Sequence, residues 1–149
     1  MKILVPIDGS KASKRAIEEA KLIGKKFEAE LIAFTVIPET TIFEQFPTNF
    51  PYALEVSEAN TEHAELVLSD IEKLLKDYPY KTETLYKTGD PASEIVEFAK
   101  EKEINLIIMG NRGLGAFSRT LLGSVSSKVI NHSSISVLLV KGDKNILDK

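Results

Sequence analysis

The sequence has no cysteine, which excludes disulfide bonds and thiolate-held metals and fits a reducing compartment. Histidine is almost as scarce: His63 and His132 are the only two, and no second histidine or carboxylate stands at ligand spacing to His63. His63 therefore reads as a helix or core-edge residue rather than a metal ligand. There is no excess of positive charge. A net charge of −3 offers no sequence-wide basic field to nucleic acid or an anionic membrane, leaving room only for a local basic spot. Long apolar runs are missing too. Only Ile3 to Ile7 separate Lys2 from Asp8, too short for a signal sequence or a membrane span, so a cytoplasmic location is expected. No G-x-S-x-G nucleophile elbow occurs. What remains is 149 residues, 43% of them hydrophobic, enough for one domain over 1–149 with its own core.

Taken in order, Ile3-Leu4-Val5-Pro6-Ile7 is a continuous apolar run, as expected of a strand covered on both faces, with Pro6 near its end because proline cannot donate to a ladder. Ser10 is a candidate N-cap for a helix through about Phe27, with Ala16, Ala20, Ile23 and Phe27 at helical spacing. Lys11, Lys14, Lys21, Lys25 and Lys26, interspersed with Glu18 and Glu19, read as its solvated face. Leu31 to Ile37 is a second buried strand, stopped by Pro38. From Glu39 to about Leu54 the pattern breaks, with Pro47 and Pro51 among Ile42, Phe43, Phe46, Phe50 and Tyr52. A connection this long is uncommon and often functional; its aromatics suit either a lid or partner surface, or satellite core over the sheet edge.

A long amphipathic helix follows, carrying Ala59, Leu66, Val67, Ile71, Leu74, Leu75 and Tyr78, with His63 on the same stripe, and Pro79 ends it. Thr82 to Tyr86 alternates and predicts an edge strand. Asp90-Pro91 supplies an N-cap and an N1 proline to a helix bearing Ala92, Ile95, Val96 and Ala99. Ser136 to Val140 is the last strand, before a polar tail expected to fray from about residue 142.

The most informative stretch is Ile104 to Ile130. An apolar strand, Ile104 to Met109, leads into Gly110-Asn111-Arg112-Gly113, a nine-residue arm from Leu114 to Leu122, and Gly123-Ser124-Val125-Ser126 at a helix start. Glycines let backbone amides approach a ligand, and the first helical turn has free N–H groups and the positive end of the macrodipole, a combination that favours phosphate. Turn chemistry alone accounts for any one of these glycines, but less readily for three with two hydroxyls at one junction. A P-loop is excluded because Ser124-Val125 follows Gly123. The dinucleotide fingerprint fits Gly113 to Ser118 poorly and stands in the wrong place.

Strands alternating with helices predict an α/β fold: an open, doubly wound, five-stranded parallel sheet, Rossmann-like, in the order 3-2-1-4-5 with helices on both faces. Strands one and four are then neighbours where the winding reverses, and ligands bind at such a crevice. Amides near Gly113, Gly123, Ser124 and Val125 would donate to phosphates, with the hydroxyls of Ser124 and Ser126. Arg112 and Arg119 are either counter-charges or ordinary surface arginines. Asp8 would repel phosphates, which assigns it to the sugar or base end or to a metal bridging them. Val36 could offer its backbone to a base.

Gly110-x-x-Gly113, nine residues, then Gly123-Ser124, together with the opening Met1-Lys2-Ile3-Leu4-Val5-Pro6-Ile7-Asp8-Gly9-Ser10, resembles the nucleotide-binding branch of the universal stress protein family over nearly the whole chain. The resemblance implies that Pro6, Asp8 and Val36 surround adenine and ribose, and that Met109, Gly110 and Gly113 line the ribose and phosphate path. It also implies that Gly123, Ser124, Val125 and Ser126 hold the phosphates, with Mg²⁺ or Mn²⁺ riding on them. A homodimer through the last strand, Val137 to Val140, would follow. Asn111 and Ser127 depart from the family's usual residues without touching the glycine frame. The function expected is that of an ATP-binding or other adenine-nucleotide-binding cytoplasmic stress protein, a switch acting on a protein partner. A slow metal-dependent ATPase or phosphotransferase, and a structural dimer without nucleotide, are the alternatives.

Overall fold

The computed structural model describes residues 1–39, 50–112 and 122–142. In chain order the elements are β1 (Lys2–Pro6), α1 (Lys11–Phe27), β2 (Glu30–Pro38), α2 (Phe50–Leu75), β3 (Thr82–Gly89), α3 (Pro91–Glu101), β4 (Leu106–Gly110), α4 (Ser124–His132) and β5 (Val137–Val140). The strands form one parallel sheet in the order β3-β2-β1-β4-β5, as the alternation of strand and helix predicts.

Local chemistry sets the helix starts. Ser10 Oγ accepts the Ser13 amide at 3.2 Å, capping α1. Asp90 accepts both the amide and the hydroxyl of Ser93, at 3.0 and 2.8 Å, and Pro91 follows it at the first helical position.

Successive side chains of a strand face opposite ways, so β1 sends Ile3, Val5 and, just beyond its end, Ile7 into one core and Leu4 into the other. α1 and α2 cover the first face, with Ala16, Ile17, Ala20, Val67 and Ile71 fully or nearly buried. α3 and α4 cover the second, where Phe34 stacks on Phe98 at 4.5 Å between ring centroids.

Several details differ from the sequence-based expectations. α2 begins at Phe50, so Phe50 to Leu54 are helical rather than part of an irregular connection. Proline is tolerated in a first turn, where its missing N–H has no helical acceptor anyway, which is why Pro51 does not stop the helix. The remaining aromatics of that connection, Phe43 and Phe46, lie outside the described residues.

The buried stripe of α2 runs through Ala64, Val67, Leu68, Ile71 and Leu75, while Leu66 is 68% exposed. About 100° of rotation separates successive helical positions, so Leu66 is carried off the stripe by its own register. In α1, Ala16 and Ala20 are buried as expected and are joined by Ile17 and Gly24, whereas Phe27, on the final turn, is exposed. Lys21 is buried, not solvated: its ammonium lies 2.7 Å from Asp77 and donates to the Leu74 carbonyl at 2.7 Å, near the carboxyl end of α2. Burial opposes the Lys21 charge, but the Asp77 hydrogen bond and the nearby charges of Glu18 and Asp77 outweigh it and raise its pKa. His132 closes α4 from within its last turn, its Nδ1 at 2.8 Å from the Lys128 carbonyl oxygen.

Candidate functional site

β1 and β4 lie side by side, with Ile3 opposite Leu106 and Leu4 opposite Ile107, and the chain winds away in opposite directions on either side of them. The loops leaving their carboxyl ends therefore face one another across a crevice.

On the β1 side, Ile7 is tied to β2: its amide donates to Phe34 O at 2.8 Å and its carbonyl accepts the Thr35 hydroxyl at 2.9 Å. Asp8 follows, its carboxylate accepting the Ser10 amide at 2.9 Å, which turns the chain into α1. Gly9 between them has φ +85°, a left-handed conformation that glycine adopts without strain.

On the β4 side, Gly110 touches the first turn of α1. A Cβ there would lie 2.7 Å from Ala12 Cβ and 3.0 Å from the Ala12 carbonyl carbon, so only glycine admits this approach. Asn111 then bonds in two directions. Its amide donates to Val140 O at 2.9 Å, and its carbonyl accepts the Gly123 amide at 2.8 Å and the Ser126 hydroxyl at 3.1 Å. Gly123 is the N-cap of α4, and the Ser127 amide returns to the Gly123 carbonyl at 3.0 Å.

This arrangement changes which donors are available. The Gly123 amide and the Ser126 hydroxyl, both expected to face a ligand, are spent on Asn111; Ser126 is buried and its single O–H also approaches Gly123 O at 3.0 Å. The amides of Ser124, Val125 and Ser126 remain. They belong to the first turn, where no helical acceptor exists, and among the described residues none is otherwise engaged. Three aligned N–H groups and the exposed Ser124 hydroxyl thus stand at the positive end of the α4 dipole. Arg112 is half-buried beside them, and its buried Nε has no acceptor among the described residues.

These groups share a cleft of about 720 Å³. Pro6, Asp8, Val36, Met109, Gly110, Arg112, Gly123, Ser124, Val125 and Ser126 all line it. Gly113 and Arg119, the other sequence candidates, lie outside the described residues. The ionisable side chains on the described wall are Asp8, His63 and Arg112. Among the described residues no group of three histidines or carboxylates could hold a metal by itself.

Sequence reasoning missed one wall. Asn60, His63, Ala64 and Val67 of α2 line the cleft, as do Pro91 and Ile95 of α3. Helix length was the available signal: 26 residues of α2 span about 39 Å at about 1.5 Å per residue, more than the nine residues of β2 can match. The amino-terminal half of α2 therefore has length to spare above the sheet.

The universal stress protein family profile matches residues 1–141. Universal stress protein MJ0531 of Methanocaldococcus jannaschii is 38% identical over 143 residues, 96% of this chain and 83% of the relative. The solved structure of MJ0577, from the same organism, superposes with a TM-score of 0.80 at 32% identity, covering 94% of each chain. A universal stress protein crystallised in complex with cAMP superposes at 0.72 with 26% identity over 96% of this chain and 98% of that one. With a five-stranded sheet of matching fold and a family match along nearly its full length, the chain belongs to the universal stress protein family.

Proposed function

We propose that this protein binds an adenine nucleotide in the cleft between β1 and β4 and acts as a nucleotide-dependent switch on a protein partner in the cytoplasm. The observation that carries the reading is the first turn of α4, whose three amides are unengaged among the described residues and open into a cleft whose opposite side bears Asp8. The cAMP complex of a relative at 26% identity supports an adenine ligand.

The residues present fit such a ligand. The amides of Ser124, Val125 and Ser126, the Ser124 hydroxyl and Arg112 take the phosphates, with Gly123 allowing close approach. Met109 and Gly110 border the ribose; Pro6, Asp8 and Val36 stand towards the sugar and base. Mg²⁺ or Mn²⁺ would be carried by the phosphates, neutralising their charge, with Asp8 the one carboxylate on the described wall able to join it. β5 is an edge strand, and pairing Val137 to Val140 across a two-fold axis makes a homodimer and removes that edge.

Isothermal titration with ATP and Mg²⁺ tests the reading. Saturable binding that AMP competes for supports it; no heat, and no competition with a labelled adenine nucleotide, refutes it.

A further inference from the structure

The wall contributed by α2 has no role in the site so far. Asn60 and His63 stand one turn apart with Ala64 and Val67 completing the same face, and all four line the cleft. His63 is solvent-exposed and Asn60 half-buried, so neither is a core residue held there by packing alone. Thr61, between them, turns instead to its own helix, donating to Ser57 O at 3.0 Å.

Their position in the sheet decides which part of a ligand they meet. The phosphate-binding amides belong to α4, which follows β4 on one side of β1. α2 packs over β2 and β3 on the other side, and the end of β2 lines the cleft through Val36, Ile37 and Pro38. A nucleotide with its phosphates on α4 extends across β1 towards β2 and α2. Its base reaches the α2 wall.

We infer that the α2 wall holds the nucleobase, with Asn60 the specificity-determining residue that selects it and His63 a stacking face, an inference that rests on the nucleotide-binding reading above. A carboxamide carries one acceptor and one donor group. Adenine presents an adjacent donor and acceptor at N6 and N7, which a single asparagine satisfies together; guanine presents two acceptors there, O6 and N7, and leaves the asparagine carbonyl unpaired. An imidazole ring provides a face on which any base stacks. Asn60 therefore sets the choice of base, and His63 strengthens binding of purines alike.

The test combines calorimetry with the proton spectrum of the histidines, using ATP, GTP and inorganic tripolyphosphate as probes. With two histidines in the chain, His132→Gln assigns both Cε1–H signals, and His132, bonded to Lys128 at the far end of α4, is the internal control. Saturating ATP is expected to move the His63 signal and leave His132 in place, whereas tripolyphosphate binds without moving His63. Asn60→Ala is expected to reduce the ATP-to-GTP affinity ratio about tenfold. His63→Ala is expected to weaken both nucleotides about tenfold and keep the ratio. If wild type binds ATP but Asn60→Ala keeps the ratio, or tripolyphosphate moves His63 as ATP does, the α2 wall does not read the base while the nucleotide site stands. If wild type binds none of the three probes, the site itself is refuted and this inference with it.

Discussion

The amide of Gly123 donates to the carbonyl of Asn111 at 2.8 Å, so α4 begins directly beside the end of β4. The Ser126 hydroxyl reinforces the same carbonyl at 3.1 Å. Two groups that resemble ligand donors in the sequence are thereby used to aim the next ones. The amides of Ser124, Val125 and Ser126 are held at the cleft before any ligand arrives, which lowers the entropy lost on binding.

A proline at position 124 isolates the contribution of one amide. Proline suits the first position of a helix, and Gly123, at φ −60° and ψ 153°, already has the extended conformation required before it. Ser124→Pro removes an N–H and a hydroxyl, Ser124→Ala the hydroxyl alone. Calorimetry is expected to show ATP affinity reduced about tenfold or more in Ser124→Pro, since hydrogen bonds to charged groups contribute about 1.5–3 kcal/mol, and a smaller loss in Ser124→Ala.

Gly110→Ala tests the contact between β4 and the first turn of α1. Its methyl would meet the Ala12 backbone and side chain at 3.0 and 2.7 Å, which cannot be relieved by a rotamer change. Urea unfolding is expected to show a loss of about 1–3 kcal/mol, the usual cost of overpacking.

Asp90 gives a pH dependence of known sign. The Ser93 amide, then the Ser93 hydroxyl, hold its carboxyl below the usual aspartate range. A carboxylate depressed in the folded state stabilises it above the unfolded-state pKa, and that stabilisation is lost as pH falls through the folded-state value. Wild type is expected to exceed Asp90→Asn in stability at neutral pH and to converge with it in acid, as read from urea unfolding across the acid range. A difference that does not change with pH contradicts this.

The proposed dimer is checked at Leu138, which is 38% exposed on the edge strand β5. Leu138→Lys places a charge on that edge, and sedimentation equilibrium is expected to report a monomer where wild type is dimeric.

Much of the architecture was legible in the sequence because its signals are local. Asp90-Pro91 and Ser10 mark helix starts through bonds to residues three positions on, and the apolar runs identify β1, β2 and β4 before any tertiary contact is known. The position of the crevice followed from strand order. What escaped depended on distant partners. Lys21 looked solvated because Asp77, which draws it into the structure, lies on the far side of α2 in sequence. The Gly123 amide looked available because the Asn111 carbonyl that occupies it is twelve positions earlier. His63 looked like a core-edge residue because it shares the apolar stripe of α2, and only the length of that helix set against β2 shows that its first half overhangs the sheet.

The central claim is that the first turn of α4 grips the phosphates of an adenine nucleotide, and a ¹H–¹⁵N titration with ATP and Mg²⁺ addresses it amide by amide. The largest saturable shifts are expected at Ser124, Val125 and Ser126, with the Gly123 amide, already bonded to Asn111, moving less. ATP binding that leaves those three resonances in place while shifting others to saturation would contradict it.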